Sequence, residues 1–181
     1  MIYDELIRGA RVSLRSVTTR DCNQNYITWM NDYETNRFME TRWNPQTEDT
    51  ILNYVISMRK SEDSYLFAIV VNESERHIGN IKIGPINKRY NHADISYFIG
   101  EKDCRGIGYA REAVELICDF GFKVLGLRRI QAGVIEGNEA SMGVLKSSGF
   151  LLEGKSADKC IIDGKYVAQL IFGILNKEAN K

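Results

Sequence analysis

Proline is almost missing from this sequence: Pro45 and Pro85 are the only two in 181 residues, and no Pro-, Gly- or Ser-rich stretch interrupts the chain. Nothing marks a linker, and the length suits one domain over residues 1–181. Histidine is equally scarce, with His77 and His92 alone. The four cysteines, Cys22, Cys104, Cys118 and Cys160, form no Cys-x-x-Cys pair and have no histidine at zinc-ligand spacing. They read as free thiols in a reducing compartment, with no metal site expected. An excess of either charge is absent too, since 24 Lys plus Arg balance 24 Asp plus Glu. Without a global field, neither nucleic acid nor an anionic membrane is an expected partner. No apolar run approaches the roughly 18 residues that span a bilayer, and Met1-Ile2-Tyr3-Asp4-Glu5 carries acids where a secretory leader carries bases. A cytoplasmic protein is the expectation.

What is present is an ordinary globular composition, 44% hydrophobic and 27% charged, enough to build a packed core. Alternation over Arg11 to Val17 predicts a half-buried strand, and a short helical segment follows from Cys22 to Met30. Thr47, with Glu48 and Asp49 behind it, predicts the start of a helix that carries Ile51, Leu52, Val55 and Ile56 at helical spacing to about Lys60. Three strand-like runs, Tyr65 to Val71, Ile78 to Ile86 and Ala93 to Ile99, are joined by turns short enough for an antiparallel meander. Ala110, Ala113, Val114, Ile117 and Gly121 predict a helix to about Leu125, followed by a strand over Arg129 to Val134. Asn138 is placed to cap a helix ending near Ser148, where Gly149 takes the left-handed position. A strand from Phe150 to Ala157, a turn at Asp163-Gly164 and a strand from Tyr166 to Leu175 close the chain. This order predicts an α/β (α+β) fold: a mixed, mostly antiparallel central sheet of about seven strands flanked by helices.

One loop carries a chemical signal. Arg105-Gly106-Ile107-Gly108-Tyr109-Ala110 follows a strand and opens a helix, so free backbone N–H groups and the positive end of the helix dipole converge there. Two glycines let an anion approach the backbone, and Arg105 adds a charged donor. The plainer alternative is a loop whose glycines merely turn the chain. A dinucleotide fingerprint would need glycine where Arg111 stands, and a Walker loop would need Gly-Lys-Ser/Thr; neither pattern is there.

The stretch Asp103-Cys104-Arg105-Gly106-Ile107-Gly108 resembles the acyl-CoA signature Gln/Arg-x-x-Gly-x-Gly/Ala of the GNAT N-acetyltransferase superfamily, with Asp103 where Gln or Arg is common. Asn138-Glu139-Ala140-Ser141, continuing to Leu145 and Ser148-Gly149-Phe150, resembles that family's Asn-x-x-Ser … Gly-Phe segment. The likeness runs from Arg11 to Leu175. Ala93 to Ile99, Arg105 to Val114, and Glu153-Gly154 with Asp163-Gly164-Lys165-Tyr166 look most like the branch of ribosomal-protein, spermidine and amino-sugar N-acetyltransferases. The resemblance implies acetyl-CoA as co-substrate, an opening between two central strands for its pantetheine, and direct transfer to an amine. It implies cofactor contacts at Phe98, Ile99, Arg105, Gly106, Ile107, Gly108, Tyr109, Ala110 and Asn138.

Transfer from a thioester to an amine needs a base, a donor for the developing oxyanion and a proton for the thiolate. By resemblance, Asp94 stands where relatives carry a glutamate and is the candidate base, directly or through water. An ordinary aspartate, with pKa about 3.9, is a weak base without burial or a relay, and the alternative is a solvated strand-end residue. Backbone N–H groups near Phe98 to Gly100 would polarise the thioester. Leu145 occupies the place of a frequent tyrosine acid, so Ser141 is the candidate acid; its alternative is a helix-start serine bonded to backbone. Cys104 has no histidine nearby in sequence and is not expected to be a nucleophile.

For the acceptor, Trp29, Asn31, Asp32, Arg37 and Phe38 resemble an amino-sugar site in which an aromatic wall stacks on a sugar or base; the alternative places Trp29 and Phe38 in the core. The expected acceptor is therefore an amino sugar, free or nucleotide-linked, or a protein N-terminus. Polyamines, and a non-catalytic acyl-CoA-binding or regulatory role, are the competing readings. A monomer or homodimer is expected.

Overall fold

The computed structural model describes residues 1–177. Eight strands form one sheet: β1 (Ile7–Arg8), β2 (Val12–Ser16), β3 (Tyr65–Val71), β4 (His77–Asn87), β5 (His92–Ile99), β6 (Arg129–Ile135), β7 (Leu151–Ile162) and β8 (Lys165–Leu175). Their spatial order is β1-β2-β3-β4-β5-β6-β8-β7, antiparallel throughout except between β5 and β6. The strand beyond the expected seven is the two-residue β1. β7 also runs to Ile162 rather than stopping at Ala157, because its long hairpin with β8 keeps pairing up to the Asp163-Gly164 turn, where both residues have positive φ.

Among the described residues five α-helices flank the sheet: α1 (Gln24–Asn31), α2 (Tyr33–Asn36), α3 (Glu48–Lys60), α4 (Tyr109–Asp119) and α5 (Glu139–Ser147). Side-chain caps start four of them where the sequence places a short polar residue: Asn23 accepts from the backbone of Asn25 and Tyr26, Asp32 from Thr35, Thr47 from Thr50, and Asn138 from Ser141. α4 closes at Asp119, short of Leu125, and a π-helical turn over Phe120–Val124 follows. That turn swings the Phe120 ring into edge contact with Tyr65 and Phe67, both at 5.4 Å between centroids.

Period-two burial divides the sheet cleanly. On the back face, Leu14, Phe67, Ile69, Ile81, Ile83, Ile95, Ile130 and Phe172 pack against Ala113, Val114 and Ile117 of α4 and Leu145 of α5. On the front face, Leu66 and Ala68 pack against Tyr26, Trp29 and Met30 of α1 and Ile51 and Val55 of α3. Among the described residues this front cluster reaches no further along the sheet than Phe98 of β5, so the front of β6, β8 and β7 lies outside the helical cover. No helix among the described residues is long and apolar enough to cross a membrane.

Candidate active site

The site begins with a failure of pairing. β5 and β6 are in register only at His92↔Arg129, Ala93↔Ile130 and Asp94↔Gln131. Beyond those rows β5 continues on β4 to Gly79↔Ile99, and β6 continues on β8 to Ile135↔Gln169. The two strands part and leave a notch in mid-sheet. Gly100 N–H donates to the Ile78 carbonyl at 2.8 Å. Antiparallel alternation then commits Phe98 to Asn80 and turns the Ile99 N–H away from β4, toward the notch. Of the expected backbone donors, Phe98 and Gly100 are thus used by the sheet and Ile99 is the one directed at the opening.

At the wide end of the notch lies the glycine loop. Gly106 and Gly108 have φ of 74° and 93°, the left-handed region that favours glycine. Gly108 is the N-cap of α4. Among the described residues no acceptor pairs with the N–H groups of Gly106, Ile107 or Gly108. Together with the start of α4, they form a concavity suited to an anion. Arg105 is placed differently from expectation: its guanidinium turns inward, donating to the Ile99 carbonyl at 3.1 Å, the Gly100 carbonyl at 3.1 Å and Thr35 Oγ1 at 2.6 Å. It ties the loop to the end of β5 and to α2.

The cation that does lie on the loop is Arg11, which donates to the Ile107 carbonyl at 2.9 Å and to Glu112 at 3.1 Å, and stacks over Tyr109. No local signal flags Arg11, because β2 and α4 are brought together only by the fold. Asp103 is paired with Arg76, at 2.8 and 3.2 Å, and Arg76 also reaches Glu101 at 3.0 Å.

Asp94 stands where the strands separate. Its Oδ1 is buried without a hydrogen-bond partner among the described residues, an unsatisfied carboxylate oxygen of the kind that costs free energy unless something completes it. It lines an open cleft of about 790 Å3 with Ser61–Asp63, Pro85–Lys88 and His92. On the back face, Ser141 sits in the first turn of α5 with its N–H on Asn138 Oδ1, and its Oγ lies 3.0 Å from Tyr97 Oη. Tyr97 also donates to the Ser141 carbonyl at 3.2 Å, and burial pushes its phenol up to about 12. Burial raises the Cys104 thiol and pushes Cys118 up to about 12, leaving neither poised as a nucleophile.

The expected acceptor residues divide. Trp29 is 5% exposed, with its indole N–H on Glu101 at 3.1 Å and its ring over Gly100, where a Cβ would overlap it; it is a core residue and not an aromatic wall. Asn31 latches the backbone of Ile27 and Gln46. Asp32 caps α2 and pairs with Lys102 at 3.0 Å, Thr35 first and Lys102 next holding its carboxyl below the usual range. Arg37 stacks over Tyr33 and the half-buried Phe38 and pairs with Asp163 at 2.8 Å, and Tyr33 donates to the same carboxylate. The α2 segment and the β7–β8 turn therefore meet as one wall. The reading from sequence missed Arg129 and Glu153, which form a forked ion pair on the front face beside Asp94.

The Acetyltransferase (GNAT) domain family matches residues 11–151. The chain is 28% identical over 178 residues to "Uncharacterized N-acetyltransferase p20" of Bacillus licheniformis, covering 96% of this chain and 98% of that one. It is 35% identical over 129 residues to "Probable N-acetyltransferase YjcK" of Bacillus subtilis (strain 168), covering 71% and 70%. In structure it is similar to spermidine N-acetyltransferase from Vibrio cholerae in complex with CoA and spermine, with a TM-score of 0.83 at 19% identity over 96% of this chain and 100% of that one. With the parted strands, the glycine loop and the family match in agreement, the chain belongs to the GNAT family and is an N-acetyltransferase that uses acetyl-CoA.

Proposed function

We propose that this enzyme acetylates the N-terminal amine of a protein, with Asp94 as base. The observation that carries the reading is the open cleft beside Asp94, whose buried Oδ1 lacks a partner. An unenclosed cleft admits a chain end that continues into solvent. Glu62 and Asp63 on its rim favour an ammonium, while Lys88 opposes the several positive charges of a polyamine. Burial of Trp29 removes the aromatic stacking surface on which an amino-sugar reading rests.

Acetyl-CoA supplies an acetyl group activated as a thioester. The N–H groups of Gly106, Ile107 and Gly108, with the start of α4, would hold its pyrophosphate; Asn138 and the notch edges would hold the pantetheine. Asp94 takes a proton from the acceptor ammonium, directly or through water, and so frees the lone pair that attacks the carbonyl carbon. Ile99 N–H donates to the carbonyl oxygen as negative charge grows there. Tyr97 donates to the Ser141 carbonyl and lies 3.0 Å from Ser141 Oγ, fixing the serine in place, and the Ser141 hydroxyl gives its proton to the sulfur as the C–S bond breaks. CoA thus leaves as the thiol, and the second amine proton passes through solvent to restore the Ser141 hydroxyl, leaving a neutral amide. Four free cysteines fit a reducing cytoplasm.

The test is thiol release from acetyl-CoA with unblocked peptides, nucleotide-linked amino sugars and polyamines offered separately, and the product identified by mass. Turnover with peptides alone, adding one acetyl group to the α-amine, is the expected result. Turnover with either of the other pools overturns the acceptor reading, and silence with all three favours a binding role.

A further inference from the structure

We propose that Arg129 and Glu153 are positioning residues for Asp94: the Glu153 carboxylate holds the Arg129 guanidinium to itself, so that Asp94 meets the incoming ammonium unpaired. The inference rests on Asp94 being the base.

The register brings the three together. Asp94 pairs with Gln131, and His92 pairs with Arg129 two rows earlier, on the same front face. A diagonal neighbour in such a ladder is within reach of a side chain as long as arginine. Arg129 nonetheless forks onto both oxygens of Glu153, with Nη1 to Oε1 at 2.7 Å. Asp94 Oδ1 is left without a partner.

Two features of the fold deliver Glu153 to that spot. The register of β7 shifts between Leu152 and Gly154, so Glu153 is the extra residue of a bulge and its side chain is redirected onto the front face. Opposite it, Gly173 leaves the sheet surface bare: a Cβ at 173 would lie 2.5 Å from each Glu153 carboxylate oxygen. A bulge, a glycine and an arginine from three strands thus combine to seat one carboxylate. Stability alone is a weak reason for the arrangement, because an ion pair with side chains 28% and 35% exposed contributes little to folding.

The titratable and charged groups around Asp94 are His92 on its own strand, Lys82 on β4 beside Ser96, Lys88 in the β4–β5 turn, Glu62 and Asp63 on the loop after α3, and Arg129 and Glu153. Arg129 feels the fields of both Glu153 and Asp94, and it holds Glu153 below the usual carboxylate range. Removing Glu153 leaves Asp94 as the acid facing a free guanidinium. Removing Arg129 leaves Asp94 facing a second bare carboxylate. The two changes therefore act on Asp94 with opposite sign.

The experiment follows the Asp94 carboxyl by carbon-13 NMR against pH in the full-length protein, its wild-type form beside Glu153→Gln, Arg129→Gln and the double variant. This readout needs no acceptor. The expected result is a titration moved to lower pH in Glu153→Gln, to higher pH in Arg129→Gln, and back toward wild type in the double variant. With an acceptor that turns over, Glu153→Gln lowers kcat about tenfold while acetyl-CoA affinity is kept. Single variants that move the titration in the same direction, or not at all, overturn the proposal. Asp94→Asn tests the underlying reading separately. Loss of turnover there with unmoved titrations removes only the Arg129–Glu153 role, whereas full turnover removes Asp94 as base whatever the titrations do.

Discussion

The proposed donor and acceptor halves of this site are built from different material. The donor half is backbone: N–H groups of a contiguous loop from Gly106 to Gly108, the start of α4 and the Ile99 N–H at the parted edge of β5. The acceptor half is side chains from distant segments, with Asp94 on β5, Arg129 on β6, Glu153 on β7, and Tyr33 and Arg37 meeting Asp163 at a hairpin tip. A backbone site demands particular conformations and so leaves glycines in fixed places. A side-chain site can draw its groups from any strand that reaches the spot, which lets acceptor specificity vary while the donor loop stays the same.

Four substitutions sharpen or break this division. The largest effect is expected from Trp29→Ala, which lies near the acceptor half yet is core. It should cost about 3–5 kcal/mol of stability by chemical denaturation, with acceptor KM little changed under folding conditions. A small stability loss with a raised KM would return Trp29 to the acceptor site. Arg105→Ala comes next: three hydrogen bonds from the donor loop to β5 and α2 disappear. A loss of about 2 kcal/mol is expected, together with weaker acetyl-CoA binding by calorimetry. Weakened binding at unchanged stability would show instead that its side chain acts on the ligand. A smaller effect is expected from Gly108→Ala, where φ is 93° and a Cβ would meet Arg11 at 3.0 Å. Strain of about 1–2 kcal/mol should weaken acetyl-CoA binding about tenfold. Gly106→Ala, at φ 74° with open space around it, should cost less; equal effects would mean that the Arg11 contact contributes nothing.

Legibility in the sequence followed the same line. Capping residues Thr47 and Asn138 announced α3 and α5, and strand-like runs bounded by polar turns located β3, β4 and β5 within a residue of their ends. The end of α4 was less legible, since a π-helical turn keeps helical apolar spacing while changing the hydrogen-bond partner. Trp29 could not be assigned by pattern, because a core aromatic and a stacking aromatic look alike until Gly100 is seen beneath the ring. Glu153 was hidden by its bulge, which breaks the alternation that would have predicted its face.

By itself the sequence determined the order of elements, the glycine loop ahead of α4 and the Asn138 to Ser141 segment, because each depends on local backbone conformation and on hydrogen bonds between near neighbours. Only the tertiary structure decided that β5 and β6 part after three rows, that Arg105 ties the loop down while Arg11 lies upon it, and that Arg129 is held by Glu153 beside an unpaired Asp94. Those contacts join residues 24 to 96 positions apart, and their partners are chosen by sheet register and packing, which no local stretch of chain records.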